Sequence, residues 1–143
     1  MTAETWVAET WIHQTLTGDA TLMGLVTAVY MHEAPVGAVL PFALVTYHMG
    51  NDVRGVGPTI VAVDLEYVVR ALTDQKSFQP IQAAADRIQT LLHAASGTAA
   101  GGTVLSSVRV RPFQLVETTD NRTEGAVSVR HLGAIYQVLT QGG

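Results

Sequence analysis

The sequence predicts a two-layer α+β domain: a mostly antiparallel sheet packed on one main helix, with an additional N-terminal helix. Two patterns carry this. Thr59 to Leu72 alternates with a period of two, with Val61, Val63, Leu65, Tyr67 and Val69 on one side and Ile60, Ala62, Asp64, Glu66, Val68 and Arg70 on the other. Ser77 to Ala95 instead repeats apolar residues every three or four positions, at Ile81, Ala84, Ala85, Ile88, Leu91, Leu92 and Ala95. Short turns between neighbouring strand segments imply antiparallel pairing. The chain of 143 residues suits one domain spanning 1–143.

The elements follow in order. Glu4 to Leu16 reads as a helix whose apolar side includes Trp6, Val7, Trp11 and Ile12, stopped by Gly18. Asp19 is placed to cap a short second turn over Ala20–Val26. Val29–His32 reads as a short strand, and Ala34–Pro41 as a loop punctuated by two prolines and a glycine. Phe42–His48 is a strand, and Gly50–Pro58, with three glycines, reads as a hairpin loop. Ser77 is the expected cap of the main helix, with Pro80 tolerated in its first turn. Gly97 is its expected end, and Gly97–Gly102 a small-residue linker. Val104–Val116 returns to strand, with Pro112 marking a bulge or an edge. Thr118–Gly125 is a polar turn, and Ala126–Leu139 a final long strand. Asp64, Glu66, Arg70, Arg109, Arg111 and Arg130 are expected on the sheet face away from the helix, where opposite charges can pair.

Composition narrows function. Charged residues are 14% of the chain, against about 25% in an average domain. A domain so poor in charge has apolar surface to cover, and a partner subunit is one place to cover it. The net charge of −4 argues against a generic duplex-binding domain, which would carry a basic stripe. The absence of cysteine removes disulfides, thiol catalysis and thiolate metal sites. No basic segment followed by an apolar stretch opens the chain, so no signal peptide is expected, and no run is apolar enough to predict a membrane span.

No catalytic constellation emerges. His13, His32, His48, His93 and His131 form neither HxH nor HExxH, so no metal ligand set is predicted. Asp64 and Glu66 lie two apart on one strand face, as paired acid–base carboxylates do, but no nucleophile or oxyanion motif accompanies them. The run Arg54-Gly55-Val56-Gly57-Pro58 lacks the lysine and the following helix of a phosphate loop. Trp6 and Trp11 are candidate subunit anchors or core residues, since Trp is enriched at interface hot spots. No catalytic residue and no cofactor site is assigned.

The layout resembles a phage family. Val39-Leu40-Pro41-Phe42-Ala43-Leu44-Val45 is similar to its PLPYVV entry strand, and Ile60–Arg70 and Ala83–His93 resemble its next two elements. Asp120–Arg130, a turn before the last strand, resembles its ending. The family is the tail terminator, also called tail-to-head joining or tail completion protein, of long non-contractile-tailed phages. Tyr67 departs from it where members often carry Trp, as does the Gly97–Gly102 stretch.

The resemblance implies a structural virion protein and no enzyme. Its expected form is a ring, hexameric in the family, that caps the tail tube and joins the head connector. DNA passes through the channel without specific binding. Expected partners are further copies of the chain, the tail-tube ring and the head-completion or connector protein, with no membrane and no cofactor. The expected setting is the host cytoplasm during assembly and then the virion tail or neck. On this reading Asp64 and Glu66 face the lumen, and the Asn51–Pro58 loop, through Asp52, Arg54 and Val56, touches a neighbouring ring. The alternatives are another neck or tail component, such as a head-completion or tail-tube subunit, or a small α+β enzyme or ligand-binding domain.

Overall fold

The computed structural model describes residues 3–55, 60–121 and 125–142. The order is α1 (Ala3–Thr17), α2 (Ala20–Met23), β1 (Val29–Met31), β2 (Phe42–Arg54), β3 (Ile60–Thr73), α3 (Gln79–Leu92), β4 (Ala95–Ala99), β5 (Gly102–Asn121) and β6 (Gly125–Gln141). The six strands form one sheet in the order β1-β2-β3-β6-β5-β4. Every neighbouring pair is antiparallel except β1 with β2, which is parallel. This is the predicted α+β class.

The core lies between one sheet face and the helices. Val7, Ala8, Trp11, Ile12 and Leu16 of α1, and Ile81, Ala84, Ile88 and Leu92 of α3, pack on Val63, Leu65, Tyr67, Val69 and Ala71 of β3 and Ala134, Tyr136 and Val138 of β6. Burying a large apolar side chain of this kind contributes about 1.5–3 kcal/mol. Val61, expected on this face, lies past the helices and is exposed. Gly18 closes α1 because a Cβ there would come within 2.8 Å of the Gln14 carbonyl oxygen. Asp19 caps α2 as expected, its Oδ2 accepting from the Leu22 N–H at 2.9 Å.

The other sheet face has a small core of its own. Phe42, Leu44 and Leu72 are buried there, with Tyr30, Ala34, Ala38 and Leu40 packed over them. The loop through Ala34–Pro41 is therefore a cover, held by the Thr27 N–H donating to the Pro41 carbonyl at 2.8 Å, and beneath it Tyr30 of β1 meets Phe42 edge-on at 5.2 Å between ring centroids.

Several boundaries differ from expectation, and four of them have a clear local reason. The main helix begins at Gln79, whose N–H donates to the Ser77 hydroxyl at 3.1 Å. It ends at Leu92, and Ala94, with φ of +56°, turns the chain into β4. The expected linker Gly97–Gly102 is largely a tight hairpin. Ala100 and Gly101 both have positive φ, +49° and +79°, as a two-residue type I′ turn requires. Its outer glycines have a packing role, because a Cβ at Gly97 would strike the Trp11 indole and one at Gly102 would strike Val7. Finally, β2 continues through Arg54, pairing Asn51 with Asp64 and Asp52 with Val63, where a loop was expected.

Candidate functional site

The helix-free sheet face collects most of the polar residues singled out in the sequence. The Gln137 amide donates to Asp64 Oδ2 at 2.6 Å across the β3–β6 pair. Glu66 faces Arg111 at 3.6 Å. Arg70 lies opposite Gly133, which in turn lies opposite Phe113. With no side chain on Gly133, the Arg70 guanidinium reaches across the strand to the Phe113 ring, 5.3 Å from its centroid. Burial lowers the pKa of Arg70, and the nearby Glu117 carboxylate opposes that shift.

Two expected members of this face lie on the other one. Arg109 donates to Gln89 of α3 at 2.7 Å, and Arg130 stacks on Phe78 and donates to the Gln75 carbonyl at 3.0 Å. A β-bulge explains Arg109. The β5–β6 register shifts between Arg109 and Arg111, so Arg109 pairs with Tyr136 and Arg111 with Ile135. Residues two apart share a face in a regular strand, but the extra residue sends these two arginines to opposite faces.

Sequence reasoning missed the buried carboxylate of Glu9. It is 6% exposed, on α1. Its Oε1 lies 2.5 Å from His32 Nε2, and its Oε2 accepts from the Tyr67 hydroxyl at 3.0 Å. Burial, followed by the Glu9 charge, drives the Tyr67 pKa well above its ordinary value. Beside this cluster a groove of about 400 Å³ is lined by Trp6, Glu9, Thr10, His13, Met31 and His32. The only sequence signal was position: Glu9 falls between Ala8 and Trp11 on the apolar side of α1.

The two tryptophans separate. Trp11 is 4% exposed and packs within the chain's own core, so it offers nothing to a partner; Trp6 is 57% exposed at the groove. Asp52 and Arg54 are exposed and lie on strand β2 rather than in a loop, and Val56 lies outside the described residues. Past the helices, Tyr47, Met49, Val53, Ile60 and Val61 expose apolar surface on the β2–β3 ribbon, as do Val110, Leu115 and Val116 on the β5–β6 ribbon. Among the described residues, no group of three His, Asp or Glu side chains is placed to hold a metal ion, and no helix is long and apolar enough to cross a membrane.

Comparison with known proteins follows the same lines. The family described as tail completion protein gp17 matches residues 10–132. A chain from the virion of a native gene transfer agent particle shares the fold with a TM-score of 0.59 and 20% identity, over 92% of each chain. No curated protein matches the chain.

Proposed function

The chain belongs to the tail completion protein gp17 family, and from that premise we propose that it forms a ring, hexameric as in tail terminators, that caps the tail tube and joins it to the head. The family is a structural one, and membership places the chain in the virion tail or neck, within a multi-protein tail complex. The observation that carries the ring reading is the pair of β-ribbons exposing apolar side chains on both sides of the sheet. Lateral neighbours on two sides are what a ring subunit needs, and head-to-tail contacts close into rings.

In this reading the helix-free face turns toward a channel through which DNA passes, with Asp64 and Glu66 on it. Acidic side chains suit a conduit, because a basic wall would bind the duplex and retain it. Asp52, Arg54 and Val56 contact a neighbouring ring, and Trp6 anchors a partner. The tail-tube ring lies on one side and the connector on the other.

Mass measurement of the purified chain tests the ring, with a species at six times the monomer mass expected. Loss of the chain from assembling phage is expected to leave tails unjoined to heads. Normal joining without it would refute the reading.

A further inference from the structure

We propose that successive copies of this chain join edge to edge through β-strand pairing, the free outer edge of β2 on one copy running antiparallel to the free outer edge of β5 on the next. This rests on the ring reading above and names the surfaces that make the contact.

Both edges are open. β1 covers β2 only as far as Val45, where the His32 N–H donates to the Val45 carbonyl. β4 covers β5 as far as Ser107, and the Arg109 N–H donates to His93 Nδ1 at 3.0 Å. Past these points, among the described residues, no strand pairs with the outer side of β2 or β5. An unpaired edge offers a row of backbone donors and acceptors to another chain.

The edges are also unsupported. Tyr47 through Gly55 are all exposed although most belong to a strand, as are Gln114 through Thr118. Only their outer ends, Val53–Arg54 against Ile60–Ala62 and Glu117–Asn121 against Gly125–Val129, run on as two-stranded ribbons past the β3–β6 ladder, and such a ribbon is marginal in water without a third strand. Met49, Val53, Leu115 and Val116 add exposed apolar surface. Natural edges are usually blunted with lysine or proline. Pro112 marks the inner end of the open β5 edge, and beyond it Phe113–Thr118 contains neither, nor does Tyr47–Arg54 on β2.

A second copy fits because of strand direction. β2 and β3 are antiparallel, as are β3 and β6, and β6 and β5, so β5 runs opposite to β2. Cyclic repetition keeps each strand's direction relative to the ring axis. The β5 edge of one copy therefore meets the β2 edge of the next as an antiparallel pair, the more stable ladder.

Closure narrows the register. Met49 is level with Gln137 of β6 through Glu66, and Leu115 is level with His131, six residues away along β6. Pairing Met49 with Leu115 thus staggers neighbours by about 20 Å, against about 19 Å for four strand spacings. The strands then tilt by about 46°, close to the roughly 35–45° of closed sheets. Met49 and Leu115 both point to the helix-free face, as do Asn51 and Phe113 beside them in this register.

The chain has no cysteine, so engineered pairs report cleanly. Met49→Cys combined with Leu115→Cys is expected to give, on oxidation of the assembled ring, a ladder of bands from two to six times the monomer mass. The two positions lie on strands three places apart in the sheet, too far for a bridge within one copy. Asp52→Cys with Leu115→Cys, on opposite faces, is expected to cross-link at least tenfold less. To allow a two-residue slip, Leu115→Cys is also combined with Asn51→Cys, and Met49→Cys with Phe113→Cys. A six-fold mass with no ladder from any same-face pair overturns the edge pairing and leaves the ring standing. A chain that stays monomeric when concentrated and when mixed with tail tubes overturns both.

Discussion

Arg87 of the main helix grips Asp19 with two parallel hydrogen bonds, Nε to Oδ2 at 2.8 Å and Nη2 to Oδ1 at 2.7 Å. The same carboxylate caps α2, so one side chain fixes a helix start and ties it to α3. The Arg87 hydrogen bonds, then the Leu22 N–H, hold the Asp19 pKa down at about 2. Its folded pKa lies below its unfolded value, so its contribution is complete above about pH 4 and disappears as pH falls toward 2. Asp19→Ala is expected to lower the melting temperature at pH 7 more than Arg87→Ala, because it removes the cap as well as the pair. Thermal unfolding of both variants at pH 7 and pH 2.5 checks this. The gap between Asp19→Ala and the parent protein should narrow at the lower pH.

Gly133 sits where no side chain fits. A Cβ there would lie 2.6 Å from the Arg70 Cα and would also strike the Val69 carbonyl. β6 is central in the sheet and cannot move aside without breaking two ladders. Gly133→Ala is expected to destabilise the domain by about 1–3 kcal/mol or more, measured by denaturant unfolding. A loss within about 0.5 kcal/mol, typical of a neutral surface change, would contradict the packing described.

The contrast between Gly133 and the Gly97–Gly102 hairpin shows what was legible in the sequence. The alternation through Val63–Val69 and the stripe Ile81–Leu92 were readable because both report local geometry, a pleat and a helical turn. Asp19 was readable for the same reason. The hairpin at Ala100-Gly101 was not, because its glycines at positions 97 and 102 are small for the sake of Trp11 and Val7, which are distant in sequence. The opposite placement of Arg109 and Arg111 depends on a bulge, and a bulge is visible only through its partner strand. Glu9 is the extreme case: its partners His32 and Tyr67 lie 23 and 58 residues away, so no local pattern marks it.

That buried carboxylate makes a specific prediction. Tyr67→Phe removes one of the two donors to Glu9 and leaves Oε2, whose bond to the hydroxyl is buried, without it. A buried acceptor stripped of its partner costs about 1–3 kcal/mol. Chemical denaturation is expected to show a loss in that range. Replacing Glu9 by Gln in the Tyr67→Phe background is expected to recover part of it, because a neutral amide is cheaper to bury than a carboxylate. No recovery would mean that the hydroxyl acts through packing alone.

His131 sets an acid limit. It is buried on the helix-free face, its Nε2 is 3.2 Å from Glu117 Oε1, and Arg70 is nearby. Burial is the largest influence and lowers its pKa, Glu117 opposes, and Arg70 adds to the lowering. The folded state therefore takes up its proton at lower pH than the unfolded chain does. Its contribution to stability is complete above about pH 6.5 and falls away as pH drops through the lowered value. Stability measured between pH 7.5 and 5 is expected to fall more steeply for the parent than for His131→Gln. Parallel curves would assign the acid sensitivity to other groups.

Trp6 and Trp11, five residues apart on one helix, separate folding from assembly. Trp11 is enclosed by the chain's own core and touches the hairpin at Gly97, so Trp11→Ala opens a cavity and is expected to cost about 3–5 kcal/mol. Trp6 stands exposed beside the apolar groove with Met31 and His13, and the isolated domain spends little to hold it there. Trp6→Ala is expected to change monomer stability by less than about 0.5 kcal/mol. If Trp6 anchors a partner, the same change weakens incorporation into tails by tenfold or more, since truncating an interface hot spot costs 2 kcal/mol or more. Unfolding curves and the amount of each variant recovered in purified tails read the two effects independently. Full incorporation of Trp6→Ala would remove the anchor, and a stable Trp11→Ala would contradict the core described.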